Sequence, residues 1–242
     1  MTLALAIVVN EGIVVATDGR LSLQVRGVAN SHRAKAGMRP FSDHSRKLFL
    51  TPQGVAIATF GQADINGTHV SVPVDSLIQK ELQHECDPKV VAETLLEHFS
   101  TQRKPIDTQF LVAGYEHKRA SKRKRVFLVD IAGGSIESAN PRTRQRDYCG
   151  VIWGGEGDIV QRLTQPVKLC GVRGKEATLP QFDWPWQFFA IEDAIAFAKF
   201  AIESTHRAMR FQARTNTVGG KLQAVVVQSN AAQWVHDHIA TI

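Results

Sequence analysis

Residues 2–20 read TLALAIVVNEGIVVATDGR. Small and branched apolar residues fill 3–9 and 13–16, while Asn10-Glu11-Gly12 between them has the composition of a tight hairpin turn. The stretch therefore predicts two antiparallel strands with both faces buried, opening on Thr2 and closing on Asp18. A second hairpin is expected from KLFL (47–50), TPQG (51–54) and VAIATFG (55–61). Between the two lies 24–44, rich in Arg, Lys, Gly and Ser and without a hydrophobic period, which reads as a long loop.

Further along, apolar residues recur at helical spacing over 74–85 (Leu77, Ile78, Leu82) and 88–102 (Val91, Leu95, Leu96, Phe99). Pro88 fits the first turn of the second helix. Two strand-like runs, FLVAGY and VFLVDIAG, flank the basic cluster KRASKRKR at 118–125. A region containing Gly-Gly-Glu-Gly at 154–157 follows, then a long helix over about 192–210, the strand LQAVVVQ and a final alternating segment, WVHDHIATI. Strands, two helices, strands, helices and strands in that order predict an α+β fold, with two antiparallel sheets stacked on each other and helices outside both.

The chain has 242 residues, 43% of them hydrophobic, enough for one large domain over 1–242 with a substantial core. No apolar run has the length of a membrane span, and Asp18 and Arg20 follow the first run too closely for a signal peptide, so a cytoplasmic protein is expected. Three cysteines at unrelated spacings signal neither a disulfide framework nor a zinc site. Of nine histidines, His236 and His238 alternate at the end of the chain without a third ligand, so no metal is expected, and no cofactor is implied. The formal charge of +6 gathers in 20–47 and 118–125. No aromatic residues interleave with the lysines and arginines of 118–125, so that cluster is read as a solvated hairpin turn and not as a nucleic-acid site. Trp184 and Trp186 are expected to anchor packing ahead of the last helix or to form a subunit contact.

Three residues in the first hairpins suggest chemistry. A threonine hydroxyl needs a base and a cation that stabilises its alkoxide. Once Met1 is removed, the α-amine of Thr2 has an ordinary pKa near that of a working base, about 7.7–8. Lys47 would supply the cation, and Asp18 would hold it charged and oriented.

Thr2 with its strand, GIVVATDGR, SRKLF and VAIATFGQAD together resemble the proteasome β-subunit-type family of N-terminal-nucleophile hydrolases, which has bacterial homologues of the HslV and Anbu types. The likeness covers about the first sixty-five residues, and AMRFQARTNTVGGKLQAVVV (208–227) is similar to the family's closing helix, turn and strand. It implies a four-layer αββα sandwich and a threonine endopeptidase working in a homo-oligomeric ring or double ring on peptides or unfolded proteins. A partner ATPase unfoldase would be possible, with neither nucleic acid nor membrane involved. By position, Thr2 is the nucleophile, Asp18 and Lys47 its supporting pair, and the Gly61 N–H the oxyanion donor. Ser22 matches a position that pairs with substrate, and Leu21 and Thr59 match positions that shape the pocket beside the scissile bond.

The sequence departs from that pattern in two ways. Residues 19–46 exceed the family's usual spacing between the aspartate and the lysine, so 24–44 contains an insertion. Gly155, Thr215 and Val218 stand where the family places serine, aspartate and serine around the amine, and Glu156, Asn216 and Thr217 reach those roles only with a one-residue shift of register. A non-catalytic ring of the same fold and a hydrolase of small amides are the alternative readings.

Overall fold

The computed structural model describes residues 2–25, 37–102, 106–118, 121–140, 148–170 and 176–235. In chain order the strands are β1 (Leu3–Val8), β2 (Ile13–Thr17), β3 (Leu21–Val25), β4 (Gly37–Ser42), β5 (Leu48–Leu50), β6 (Ala56–Gly61), β7 (Asp64–Ile65) and β8 (Thr68–His69). Helices α1 (Ser71–Lys80) and α2 (Pro88–Ser100) follow, then β9 (Thr108–Lys118), β10 (Ser121–Asp130), β11 (Ser135–Ser138), β12 (Gly150–Gly155), α3 (Asp158–Thr164), β13 (Lys168–Cys170), β14 (Glu176–Thr178), α4 (Ile191–Met209), β15 (Gln223–Val227) and β16 (Ala232–Trp234). The fold is mixed α/β, with several antiparallel sheets and four helices among the described residues.

Two five-stranded sheets carry the architecture, ordered β12-β1-β2-β15-β16 and β11-β10-β9-β6-β5. Strand alternation divides their side chains. Ala4, Ala6, Val8, Ile13 and Val15 of the first sheet meet Leu48, Ala56, Ala58, Phe60 and Leu111 of the second in one apolar cluster. Leu3, Leu5, Ile7 and Val14 turn the other way, onto Ala194, Phe197, Ala198 and Ile202 of α4. Ile57, Phe110 and Val112 likewise face away from the first sheet, toward Val74 and Leu77 of α1 and Val91, Leu95 and Phe99 of α2. Burial on both faces explains why β1 is apolar throughout and β2 is apolar up to Thr17.

Helix α2 starts where its sequence suggests: Asp87 caps it by accepting from the Lys89 amide at 2.8 Å, with Pro88 in the first turn. Trp184 and Trp186 stack 5.5 Å apart and meet the Phe197 ring edge-on, tying the lead-in of α4 to that helix.

Two expectations need correction. Part of 24–44 is not irregular: β3 and β4 form an antiparallel ribbon, Leu21 facing Ser42 and Val25 facing Gly37. The ribbon escapes a periodicity reading because its residues are mostly half-buried or exposed on both faces. The basic 118–125 cluster is likewise more than solvated surface. Lys124 donates to the carbonyls of Val9 (2.7 Å) and Asn10 (3.2 Å), and Lys122 to Ser229 O (2.7 Å) and Asn230 Oδ1 (3.0 Å). These lysines pin the long β9–β10 ribbon to turns of the other sheet. No helix among the described residues is long and apolar enough to cross a membrane.

Candidate active site

The starts of β1 and β15 and the ends of β2 and β12 meet at one end of the sheets. Asp18 leaves β2 there and is fully buried. Its Oδ1 accepts the Leu3 amide at 3.0 Å, and its Oδ2 accepts the amides of Arg20 (3.0 Å) and Gly219 (3.1 Å). The Lys47 ammonium donates to both carboxylate oxygens at 3.3 and 3.2 Å and also to the Arg20 carbonyl. Lys47 is 2% exposed, and burial pushes its pKa below the ordinary lysine value, against the Asp18 carboxylate that favours its charge. Asp18 thus links Lys47 to the residue after Thr2, which is itself 4% exposed.

Lys47 is held from its backbone as well. Its carbonyl accepts the Thr59 amide at 2.9 Å, placing the end of β6 beside it. The Gln223 side chain, rooted at the start of β15, accepts the amides of Lys47 (3.2 Å) and Leu48 (3.3 Å) and donates to the Ser45 carbonyl (2.7 Å). One amide therefore ties the two sheets together at the site. Thr59 is buried, while Gly61 ends β6 exposed with φ +91°. A Cβ there would lie 2.5 Å from the Asp107 carbonyl oxygen, so the position requires glycine.

Residues Leu21 and Ser22 open the β3–β4 ribbon immediately beyond Arg20. The ribbon is clasped at its base by Arg20–Asp43 (2.7 Å) and by the Ser45 amide on the Gly19 carbonyl (2.8 Å). The Ser22 hydroxyl is buried without a hydrogen-bond partner among the described residues, as is that of Thr17 at the end of β2.

On the other flank, Gly155 faces Leu3 with φ +81°, and a Cβ there would lie 1.8 Å from the Thr2 carbonyl oxygen. This turn delivers the Glu156 amide onto that oxygen at 2.9 Å. The Glu156 carboxylate, 6% exposed, accepts from Thr217 Oγ1 at 3.1 Å and Arg214 Nη1 at 2.8 Å. Of the polar residues weighed from sequence, Glu156 and Thr217 therefore meet. Asn216 instead donates to the His206 carbonyl, Thr215 to the Met38 carbonyl, and Val218 is buried in the apolar cluster under α4.

Sequence reading missed Gln223, Arg214 and His69. A polar side chain heading the apolar run AVVV was the available signal for Gln223. His69, at the end of β8, contacts Ser45 Oγ through Nε2 at 2.8 Å and Ser71 Oγ through Nδ1 at 2.8 Å. The Ser71 amide donates to Nδ1 at 3.2 Å, so the neutral ring carries its proton on Nε2 and donates it to Ser45. His69 is consequently not a base for Ser45. Burial, then the charges of Lys47 and Arg46, lower its pKa. Met1, His236 and His238 lie outside the described residues, and among the described residues no three metal-binding side chains gather.

No protein-family model and no curated protein matches the chain. Among solved structures, an Anbu protein of Hyphomicrobium sp. strain MC1, in a form described as a Gly-1 mutant, is similar with a TM-score of 0.59 at 14% identity, covering 100% of this chain and 87% of that one. At that identity the likeness concerns the fold.

Proposed function

We propose that the chain is a threonine peptidase of the proteasome type, with Thr2 as its N-terminal nucleophile after removal of Met1. The carrying observation is the sealed Asp18–Lys47 pair, bonded through the Leu3 amide to the residue next to Thr2. In this reading the two sheets and the helices outside them form a four-layer αββα sandwich of the N-terminal-nucleophile type.

The α-amine of Thr2 takes the hydroxyl proton as Oγ1 attacks the peptide carbonyl, and the Lys47 ammonium stabilises the developing alkoxide. The Gly61 N–H receives the oxyanion; a donor at that position is worth about 2.7–4 kcal/mol. Collapse breaks the C–N bond, the amine returns its proton to the leaving nitrogen, and an ester remains on Thr2. Water, deprotonated by the same amine, hydrolyses the ester and restores the hydroxyl. Ser22 would pair with the substrate backbone, and Leu21 and Thr59 would border the acyl-side pocket.

The likeness to an Anbu protein supports the proteasome-like fold on which this reading rests. In this reading the chain forms a cytoplasmic homo-oligomeric ring acting on peptides or unfolded protein, with an ATPase unfoldase as an optional partner. A non-catalytic ring is the second reading, favoured by Val218, which is buried in the core where the resemblance calls for a serine near the amine.

The test is the intact mass before and after incubation with peptide epoxyketones, which require a free α-amine beside the hydroxyl. Loss of methionine and one adduct, absent in Thr2→Ala, is the expected result. Methionine loss without any adduct would leave the non-catalytic ring.

A further inference from the structure

A cavity of about 370 Å³ is lined in part by Gly155, the residue packed on the Thr2 carbonyl, and by no described residue of the β3–β4 ribbon. Strand register explains its floor. Phe60 faces Gln109, Gln109 faces Asp130, and Asp130 faces Ser135, so these four side chains form one row across β6, β9, β10 and β11. Phe60 belongs to the cluster between the sheets, so the whole row points toward the first sheet.

Opposite the row, that sheet offers Gly154 and Gly155 in place of side chains. A Cβ on Gly154 would lie 2.2 Å from the Phe60 ring, so the ring occupies the space this glycine leaves open. The row starts at the residue before Gly61 and runs out to β11, the edge strand of its sheet, as β12 is of the sheet opposite. Its outer end is acidic: Asp130 and Glu137 line the cavity, and among the described residues no lysine, arginine or histidine does. Among the described residues Asp130 accepts from an uncharged partner, the Gly133 amide at 3.0 Å.

We propose that this cavity receives the substrate residue on the leaving-group side of the scissile bond and selects a lysine or arginine there. The proposal rests on the hydrolase reading for its polarity: with the acyl side against Leu21, Ser22 and Thr59, a substrate crossing Thr2 continues past Gly155 and Phe60 into the cavity. A long cationic side chain follows the apolar Phe60 end with its methylenes and brings its charge to the carboxylates.

The experiment uses Thr2→Ala protein, which binds without turnover, and octapeptides that carry Lys, Ala or Glu at successive positions. Lysine at one position is expected to tighten binding by about fivefold to tenfold over glutamate at low ionic strength, with the ratio falling as salt rises. The isosteric double variant Asp130→Asn/Glu137→Gln, verified as folded by circular dichroism, should bring the ratio close to one. Equal binding of all peptides, or a preference that survives the double variant, overturns the proposal. Wild-type adduct formation is read separately. Selective binding without adduct or cleavage would remove the hydrolase reading and leave the cation site, whereas an adduct without selectivity would do the reverse.

Discussion

Lys47 Nζ lies 3.2 Å from Asp18 Oδ2, with both side chains closed off from solvent. Removing one partner of a buried pair leaves the other uncompensated, at a cost of about 3–5 kcal/mol. Asp18→Ala should therefore lower the unfolding free energy in urea by that order and abolish the epoxyketone adduct. Lys47→Met, which keeps the length and removes the charge, should lose the adduct as well; an adduct formed at the wild-type rate would remove Lys47 from the mechanism.

Gln223→Ala deletes three hydrogen bonds between the sheets and leaves the amides of Lys47 and Leu48 without their acceptor. A loss of about 2–4 kcal/mol is expected from chemical denaturation. Hydrogen exchange should accelerate at Lys47 and Leu48 more than in β1. Unchanged exchange at these two amides would mean that Gln223 does not hold β5.

Gly155→Ala combines a left-handed backbone, costing about 1–2 kcal/mol for a residue with a Cβ, with a direct collision on the Thr2 carbonyl. The protein should fold with reduced Tm and give no adduct. Glu156→Gln keeps the shape but removes the charge facing Arg214. It should move the pH dependence of adduct formation while changing Tm little, whereas Glu156→Ala should cost about 1–3 kcal/mol.

His69 gives a signed pH dependence. Its folded pKa lies below the ordinary 6.5, so between those two values the unfolded chain holds a proton that the folded protein does not. Stability contributed at this residue therefore falls as pH drops from about 6.5 through the folded value and is level above 6.5. Urea unfolding at pH 7 and pH 5 should show a smaller acid loss in His69→Gln than in wild type. Equal losses would refute the assignment.

Much of the site is legible before folding because it lies on strands whose residues are dictated by burial. Continuous apolar runs place Thr2 and Asp18 at neighbouring strand ends, and SRKLF places Lys47 at the head of another. The flank built by Glu156 and Thr217 is not legible in this way. Its register turns on the positive φ of Gly155, which shifts the following residue relative to simple strand pairing, and on a loop before β15 with no period of its own. His69 escapes for a related reason: two-residue strands leave no pattern, and its partners Ser45 and Ser71 come from either side of it in the chain. The lysines of the β9–β10 ribbon look solvated because a sequence does not display the carbonyls of a distant turn.

The ribbon between Asp18 and Lys47 enters and leaves through one clasp, Arg20–Asp43 together with the Gly19 and Ser45 backbones. Its two ends are thus fixed to each other independently of what lies beyond them. Under the proposed peptidase function, segments of other lengths and compositions inserted at this point would leave the carboxylate and the ammonium in place, and substrate choice at the mouth would diversify above constant chemistry.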